Sequence, residues 1–144
     1  MKKRSMILVL LQAGLSAWLV LTVEVEGLSL GSISVGMFGV ALHLWAVSVM
    51  RWGRLSVMPE VRANSQLVTT PPYRWIRHPM YSGLALFTLG CCLTPFAWPR
   101  FLIWSGLLAT LDIKARYEEK CLTKSFPGYA AYCETTRRFI PFLY

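Results

Sequence analysis

The side chains most able to do chemistry lie in the run Arg77-His78-Pro79-Met80-Tyr81. Proline suits the first position of an α-helix, where its missing N–H costs nothing, so a helix is predicted to begin at Pro79. The free N–H groups and the positive dipole end of this helix would face a carboxylate or a phosphate, with Arg77 and His78 beside them. A simpler interpretation is that arginines here only anchor the helix at anionic headgroups, and for Arg74 alone we favour it.

A second candidate set is the run Lys114-Ala115-Arg116-Tyr117-Glu118-Glu119. Adjacent residues of a helix point about 100° apart, so one of the two glutamates can face a helix bundle while the other faces solvent. A carboxylate that faces the bundle could hold an ammonium group. In isolation, the segment is more typical of a solvated helix with Lys114 and Glu118 as an i,i+4 pair. If the two helices pack antiparallel, however, one glutamate returns to the level of His78.

The elements that must position these residues are apolar. The chain has 144 residues, of which 55% are hydrophobic, and its mean hydropathy is +0.46, which is too apolar for a soluble chain of this size. The net charge of +8 could suggest a nucleic-acid partner, but such a module presents its Lys and Arg on a water-soluble body. We therefore expect one membrane domain over residues 1–144 and no nucleic-acid partner.

Four apolar stretches define the expected fold, at residues 6–23, 27–50, 80–98 and 101–111. The first lacks a small-x-small cleavage pattern and is expected to stay as an anchor. The second carries small residues at four-residue spacing, which predicts an interior helix in close contact with its neighbours. The fourth is short and is expected to continue helically into the cytosol. The prediction is an all-α integral membrane protein with about four transmembrane helices, a cytosolic loop and a C-terminal helical tail.

Basic residues indicate the orientation of these helices, because short cytosolic loops carry the excess of Lys and Arg. With four crossings and a cytosolic N-terminus, Arg100 is the only one of the 15 basic residues outside, in a turn formed with Trp98 and Pro99. Both termini and the loop 51–78 are therefore predicted to be cytosolic. The expected location is the inner membrane of a bacterial or archaeal cell.

Cysteine and histidine residues give little support for a metal site. Cys91, Cys92, Cys121 and Cys133 form no CxxC pattern and are expected to be free thiols in a reducing compartment. His43 stands alone in the second apolar stretch. A neutral imidazole that is hydrogen-bonded to a neighbouring helix is its expected state.

The order of several short motifs resembles one family. These motifs are Leu67-Val68-Thr69, Pro72-Tyr73-Arg74, Arg77-His78-Pro79-Met80-Tyr81, Glu118-Glu119 with Leu122, the aromatic positions Phe126, Tyr129 and Tyr132, and Arg138-Phe139-Ile140-Pro141. Residues 67–141 thereby resemble the isoprenylcysteine carboxyl methyltransferases, and the related membrane phospholipid N-methyltransferases look similar. That family uses S-adenosylmethionine without a Rossmann fold.

The resemblance implies a cofactor-binding and catalytic half over residues 67–141. The cofactor contacts that it implies are Leu67, Val68, Tyr73, His78, Pro79, Met80, Tyr81 and one glutamate of the pair, Glu118 or Glu119. A basic residue one turn before that glutamate contacts substrate in the family, and Lys114 occupies this position. Arg77 or Lys114 would orient an acceptor carboxylate, which needs no dedicated base if alignment and desolvation supply the acceleration. An amine acceptor would first have to lose a proton.

Several interpretations stay open from the sequence. The methyl acceptor is expected to be a lipophilic small molecule or a prenylated compound in contact with membrane lipids, and a phospholipid N-methyltransferase is the nearest alternative. A membrane reductase would need a nicotinamide cofactor, and a non-catalytic adaptor would bind no cofactor. The tail aromatics are expected to seat the tail on the membrane surface. The oligomeric state is open.

Overall fold

The computed structural model describes residues 2–50, 67–94 and 96–144. Its elements are five α-helices and one short 3-10 turn at Val25–Gly27. The helices are α1 (Lys2–Leu21), α2 (Leu30–Met50), α3 (Pro79–Cys92), α4 (Trp98–Ser125) and α5 (Tyr129–Thr135). The described residues contain no strand beyond two isolated bridges, so the prediction of an all-α fold is confirmed for them.

Two helices are long and apolar enough to cross a membrane, at Lys3–Leu21 and Leu30–Met50. Most of their large apolar side chains are exposed, including Leu10, Met37 and Phe38. Helix α3 is also apolar but has only 14 residues. Helix α4 runs unbroken for 28 residues, as expected for a fourth stretch that continues helically beyond its apolar part. Length and composition thus identify two candidate spans, and four crossings remain a prediction.

Glycines bring α2 and α3 into backbone contact. A Cβ added to Gly39 would lie 2.6 Å from the carbonyl oxygen of Gly83, and one added to Gly90 would lie 2.7 Å from that of Ser32. Neither distance leaves room for a methyl group, so only glycine permits this approach. The predicted close helix contact of the small-residue stripe is confirmed.

The predicted interior position of α2 is wrong. Among the described helices, α2 packs on α3 alone, and its buried residues are Ser32, Gly39 and Ala46. The small residues occupy one face, while the apolar side chains on its other faces are exposed. Helix α2 therefore lies at the edge of the bundle. His43, on the packed side, has Nδ1 3.0 Å from the carbonyl oxygen of Met80, which confirms the hydrogen-bonded imidazole.

The core lies between α1, α3 and α4. Leu19, Cys92, Leu107 and Leu111 form its buried cluster, and Tyr81 and Trp104 pack against it. Because α1 and α4 run antiparallel, the end of α1 meets the beginning of α4. Residues near Lys114 then return to the other end of the bundle, close to the beginning of α3.

Arg100 does not lie in an exposed turn, so that prediction is wrong. It belongs to the first turn of α4 and is only 6% exposed. Its guanidinium donates 2.8 Å hydrogen bonds to the carbonyl oxygens of Thr22 and Thr94, and further ones to those of Leu19 and Cys91. These carbonyls lie at the ends of α1 and α3, where a helix leaves its acceptors unpaired. The sequence did not predict this burial, because a count of charged residues does not register backbone acceptors.

Candidate functional site

The beginning of α3 meets the second half of α4 at His78. This residue caps α3 and is 8% exposed. Its Nδ1 lies 3.5 Å from Oε2 of Glu118, and its Nε2 lies 3.4 Å from Oε1 of Glu119. Its ψ of 58° is less extended than proline usually imposes on the preceding residue. The structure thus brings together the two runs that the sequence singled out.

Glu119 is neutralised by two arginines. Nε of Arg77 lies 2.8 Å from its Oε1, and Nη2 of Arg138 lies 2.8 Å from its Oε2. Burial alone would raise the pKa of this carboxyl, but contacts with His78, Arg138 and Arg77 outweigh burial and hold the pKa well below its usual range. Glu119 is therefore an ionised residue whose charge is already balanced within the protein.

Glu118 has a different environment from its neighbour. The Tyr81 hydroxyl donates a 2.5 Å hydrogen bond to Oε1 of Glu118, and no Lys or Arg in the described part of the chain lies within ion-pair distance of it. The side chain of Glu118 is 17% exposed. It is the acidic group of this site that can still accept a cation.

Arg77 connects the loop to the C-terminal segment. Besides its contact with Glu119, its Nη1 donates to the carbonyl oxygens of Thr136 at 2.6 Å and Cys133 at 3.1 Å. Its own backbone N–H donates to the carbonyl oxygen of Arg137 at 2.7 Å. The described contacts thus direct Nε and Nη1 of Arg77 at protein atoms.

The tail after α5 forms one wall of the site. Arg138 bridges Glu119 and Asp112, and its carbonyl oxygen accepts the backbone N–H of His78 at 3.1 Å. The ring of Phe139 lies 6.0 Å from that of His78. Sequence reasoning gave Arg138 no role, although its position beside Phe139 in the matched tail motif was a usable signal.

The tail aromatics divide between the interior and the surface. Tyr129 is 1% exposed, and the Tyr132 hydroxyl donates to the carbonyl oxygen of Tyr73 at 2.5 Å. Phe142 is 88% exposed. The expectation that all of them seat the tail on a membrane is therefore wrong for Tyr129 and Tyr132, because they pack under the loop.

Lys114 lies at the inner edge of the site and is 3% exposed. Its Nζ donates to Oε1 of Gln12 on α1 at 2.8 Å and lies 5.1 Å from the ring centroid of Tyr81. Sequence reasoning missed Gln12 entirely. A single amide in the middle of an apolar helix was the signal that could have identified it.

The remaining predicted cofactor contacts surround this cluster unevenly. Tyr73 is buried, its hydroxyl donates to the carbonyl oxygen of Ala46, and burial raises its pKa. Pro79 is buried in the first turn of α3, as predicted, and the carbonyl of Met80 faces His43. Leu67 and Val68 are half-buried before the loop, outside the contacts described for the glutamates.

One buried polar atom lacks a partner in this cluster. His78 Nε2 makes no hydrogen bond of acceptable geometry with the residues that the structure describes, although its ring stacks on Tyr81 at 5.3 Å. A buried polar atom without a partner is costly and often belongs to a ligand site. Together with Glu118, it provides a donor or acceptor and an anionic group on the same side of α4. These residues fit a ligand that carries an ammonium group.

Comparison with known proteins identifies the family of this fold. The profile of the phospholipid methyltransferase family matches residues 28–128. The cobalt-zinc-cadmium resistance protein CzcN of Cupriavidus metallidurans is 32% identical over 111 residues, which cover 76% of this chain and 49% of that protein. The nickel-cobalt-cadmium resistance protein NccN of Alcaligenes xylosoxydans xylosoxydans is 28% identical over 139 residues, which cover 95% and 60%. This chain spans about half to three fifths of the length of these relatives. It belongs to the phospholipid methyltransferase family, which includes the isoprenylcysteine carboxyl methyltransferases.

Proposed function

We propose that this chain transfers a methyl group from S-adenosylmethionine to a lipophilic acceptor at the cytosolic face of a membrane. The family supports a methyltransferase in general, and the two apolar helices support membrane association. One observation carries the proposal further. Of two adjacent glutamates, Glu119 is neutralised by arginines, whereas the contacts of Glu118 with described residues are a hydrogen bond from Tyr81 and a 3.5 Å approach of His78 Nδ1.

The roles of the site residues follow from their chemistry. When bound, the cofactor supplies a methyl group on a sulfonium, which makes that methyl electrophilic. Glu118 would pair with the ammonium of its methionyl part, and His78 Nε2 would gain the hydrogen-bond partner that it lacks. The rings of Tyr73 and Tyr81 offer electron-rich faces to a cation. Leu67, Val68, Pro79 and Met80 would contribute apolar contacts to the cofactor.

The acceptor side begins at Lys114 in this proposal. A buried ammonium can orient an anionic group, such as a carboxylate that accepts the methyl or a phosphate beside an amine. Arg77 was predicted to share this task. Because its Nε and Nη1 bind Glu119 and the tail, we assign Arg77 a positioning role for the loop, with Lys114 as the residue that contacts the acceptor.

The proposed membrane arrangement keeps four crossings with both termini in the cytosol. Rings of Phe96, Trp98, Phe101 and Trp104 lie against one another at the opposite end of the bundle from His78. Aromatic side chains are enriched at membrane interfaces, so this group supports an interface at that end. The candidate site would then lie at the cytosolic interface of an inner membrane.

Calorimetric titration of the detergent-solubilised protein with S-adenosylhomocysteine tests the proposal. We expect binding to the wild type and much weaker binding to Glu118→Gln.

Transfer of labelled methyl groups to a prenylcysteine and to phosphatidylethanolamine then separates a carboxylate acceptor from an amine. A phospholipid is the second candidate acceptor, because the matched family is that of the phospholipid methyltransferases. If S-adenosylhomocysteine does not bind, the result supports a non-catalytic adaptor. If a nicotinamide cofactor binds instead, it supports a reductase.

A further inference from the structure

Three helices meet around the ammonium group of Lys114. Gln12 of α1 accepts a 2.8 Å hydrogen bond from Nζ, Tyr81 of α3 presents its ring 5.1 Å away, and Lys114 itself belongs to α4. The lysine is 3% exposed, and Gln12 is half-buried. The junction thus holds a buried cation in place from three sides.

The partners of this cation do not balance its charge. An ammonium has three N–H donors, and one of them is directed at a neutral amide. The aromatic ring contributes a weaker attraction. Among the residues that the structure describes, no carboxylate lies within ion-pair distance of Lys114. Glu118, one turn further along α4, attracts the ammonium only from beyond that distance. A buried charge without an ion-pair partner is costly, so this arrangement favours an added anion.

We infer that Gln12 is a positioning residue, which aims the Lys114 ammonium at an anionic group of the methyl acceptor and thereby helps to select anionic acceptors. The identity of the ligand as the acceptor rests on the proposed function, whereas the placement of the ammonium rests on the contacts above. Helix α1 lies outside the segment that matches the family, residues 28–128. The acceptor site therefore includes a residue that the family match does not cover.

Substitutions of Gln12 separate positioning from packing. Gln12→Leu removes the hydrogen-bond acceptor at similar volume. Gln12→Glu keeps an acceptor but adds a carboxylate, which would pair with Lys114 and compete with an anionic ligand. A purely structural role would tolerate Glu, whereas a role in anion selection would not. Ser16→Ala is a matched control, because Ser16 lies one turn further along the same face and its buried hydroxyl has no hydrogen-bond partner among the described residues.

The test measures binding of dodecyl phosphate, dodecanoate and dodecanol to the solubilised protein by calorimetry, with and without S-adenosylhomocysteine. We expect the wild type and Ser16→Ala to prefer one or both anionic probes over dodecanol by about tenfold or more, the effect of one hydrogen bond to a charged group. Gln12→Leu and Gln12→Glu should lose most of that preference. Their affinity for S-adenosylhomocysteine should stay at the wild-type value.

Other results would contradict either the role of Gln12 or the proposed function. A preference retained in Gln12→Glu, or absent from the wild type, would refute the role of Gln12. If Gln12→Leu lost affinity for S-adenosylhomocysteine as well as the preference for anionic probes, Gln12 would be a packing residue of the bundle. If the wild type prefers an anionic probe but never binds S-adenosylhomocysteine, the proposed function fails while the role of Gln12 at an anion site is supported. The two probes also distinguish a carboxylate from a phosphate.

Discussion

Tyr81 donates a 2.5 Å hydrogen bond to Glu118, while the adjacent Glu119 is held by Arg77 and Arg138. Neighbouring carboxylates on one helix therefore have separate tasks. The carboxylate of Glu119 joins the loop and the tail to α4 through its ion pairs. In our proposal the carboxylate of Glu118 binds a ligand, and this division makes the two residues a matched pair for experiments.

We expect Glu118→Gln to weaken binding of S-adenosylhomocysteine by about 1.5–3 kcal/mol, the scale of a hydrogen bond to a charged group. The melting temperature should change little, because the amide can still accept the Tyr81 hydroxyl. Calorimetry and thermal unfolding measured on the same preparation check both statements. Unchanged affinity in this variant would remove Glu118 from the cofactor site.

Glu119→Gln should have the opposite profile. It leaves Arg77 and Arg138 without their counter-charge in a partly buried place, which we expect to cost about 1–3 kcal/mol of stability. The thermal midpoint should fall more than in Glu118→Gln. If instead cofactor affinity falls with an unchanged midpoint, the roles of the two glutamates are exchanged.

Arg77→Lys should lower both the melting temperature and the rate of methyl transfer. Lysine is a point charge without the planar fork that reaches Glu119 and the carbonyl oxygens of Cys133 and Thr136 at once. Initial rates at saturating cofactor and thermal unfolding test this expectation. A reduced rate at the wild-type melting temperature would mean that Arg77 contacts the acceptor directly, as the sequence suggested.

The stability of the protein should depend on acidic pH through Glu119, whose pKa is lowered in the folded state because the contacts with His78, Arg138 and Arg77 outweigh burial. A carboxylate of this kind contributes fully above its unfolded pKa of about 4.3, and the contribution is lost as the pH falls towards the folded value. We expect the melting temperature of the wild type to fall below about pH 4.3 more steeply than that of Glu119→Gln. Equal slopes would contradict the assignment.

The orientation in the membrane can be tested by cysteine labelling in a variant without native cysteines. Glu26 and Lys120 are exposed at opposite ends of the bundle, whereas Arg100 is too buried to serve as a probe. A cysteine that replaces Glu26 should react with an impermeant maleimide on intact cells, and one that replaces Lys120 only after the membrane is opened. Labelling of Lys120→Cys from outside would reverse the topology and the cytosolic site.

The sequence predicted what depends on local signals. Pro79 begins α3 because proline favours the first helical position, and the small residues Gly36 and Gly39 of α2 lie in close contact with α3. The burial of Arg100 escaped the charge count, because its partners are backbone carbonyls of two other helices. Residues 51–66 of the predicted cytosolic loop 51–78 lie outside the described residues.

The clustering of the candidate residues was more predictable than their individual contacts. The proximity of His78 to the glutamates follows from antiparallel packing, but which glutamate is neutralised depends on Arg138, a tail residue 19 positions away. The contact between Gln12 and Lys114 spans 102 positions, and no local pattern encodes such a distance. Tertiary contacts therefore determine the pairings that sequence spacing left open.

The guanidinium of Arg100 also joins three helices at one end of the bundle. It ties the last carbonyls of α1 and α3 to the first turn of α4, so the three helices share one anchored end. Rods that are joined at one end separate most at the other, which here is the end with Gln12 and Lys114. A bulky acceptor arriving from the lipid would therefore have to displace the contacts of Lys114 with Gln12 and Tyr81, and not the contacts of Arg100. The distribution of distances between spin labels at Met6 and Lys120 should broaden in Arg100→Gln, because that substitution removes the guanidinium contacts that join the three helices.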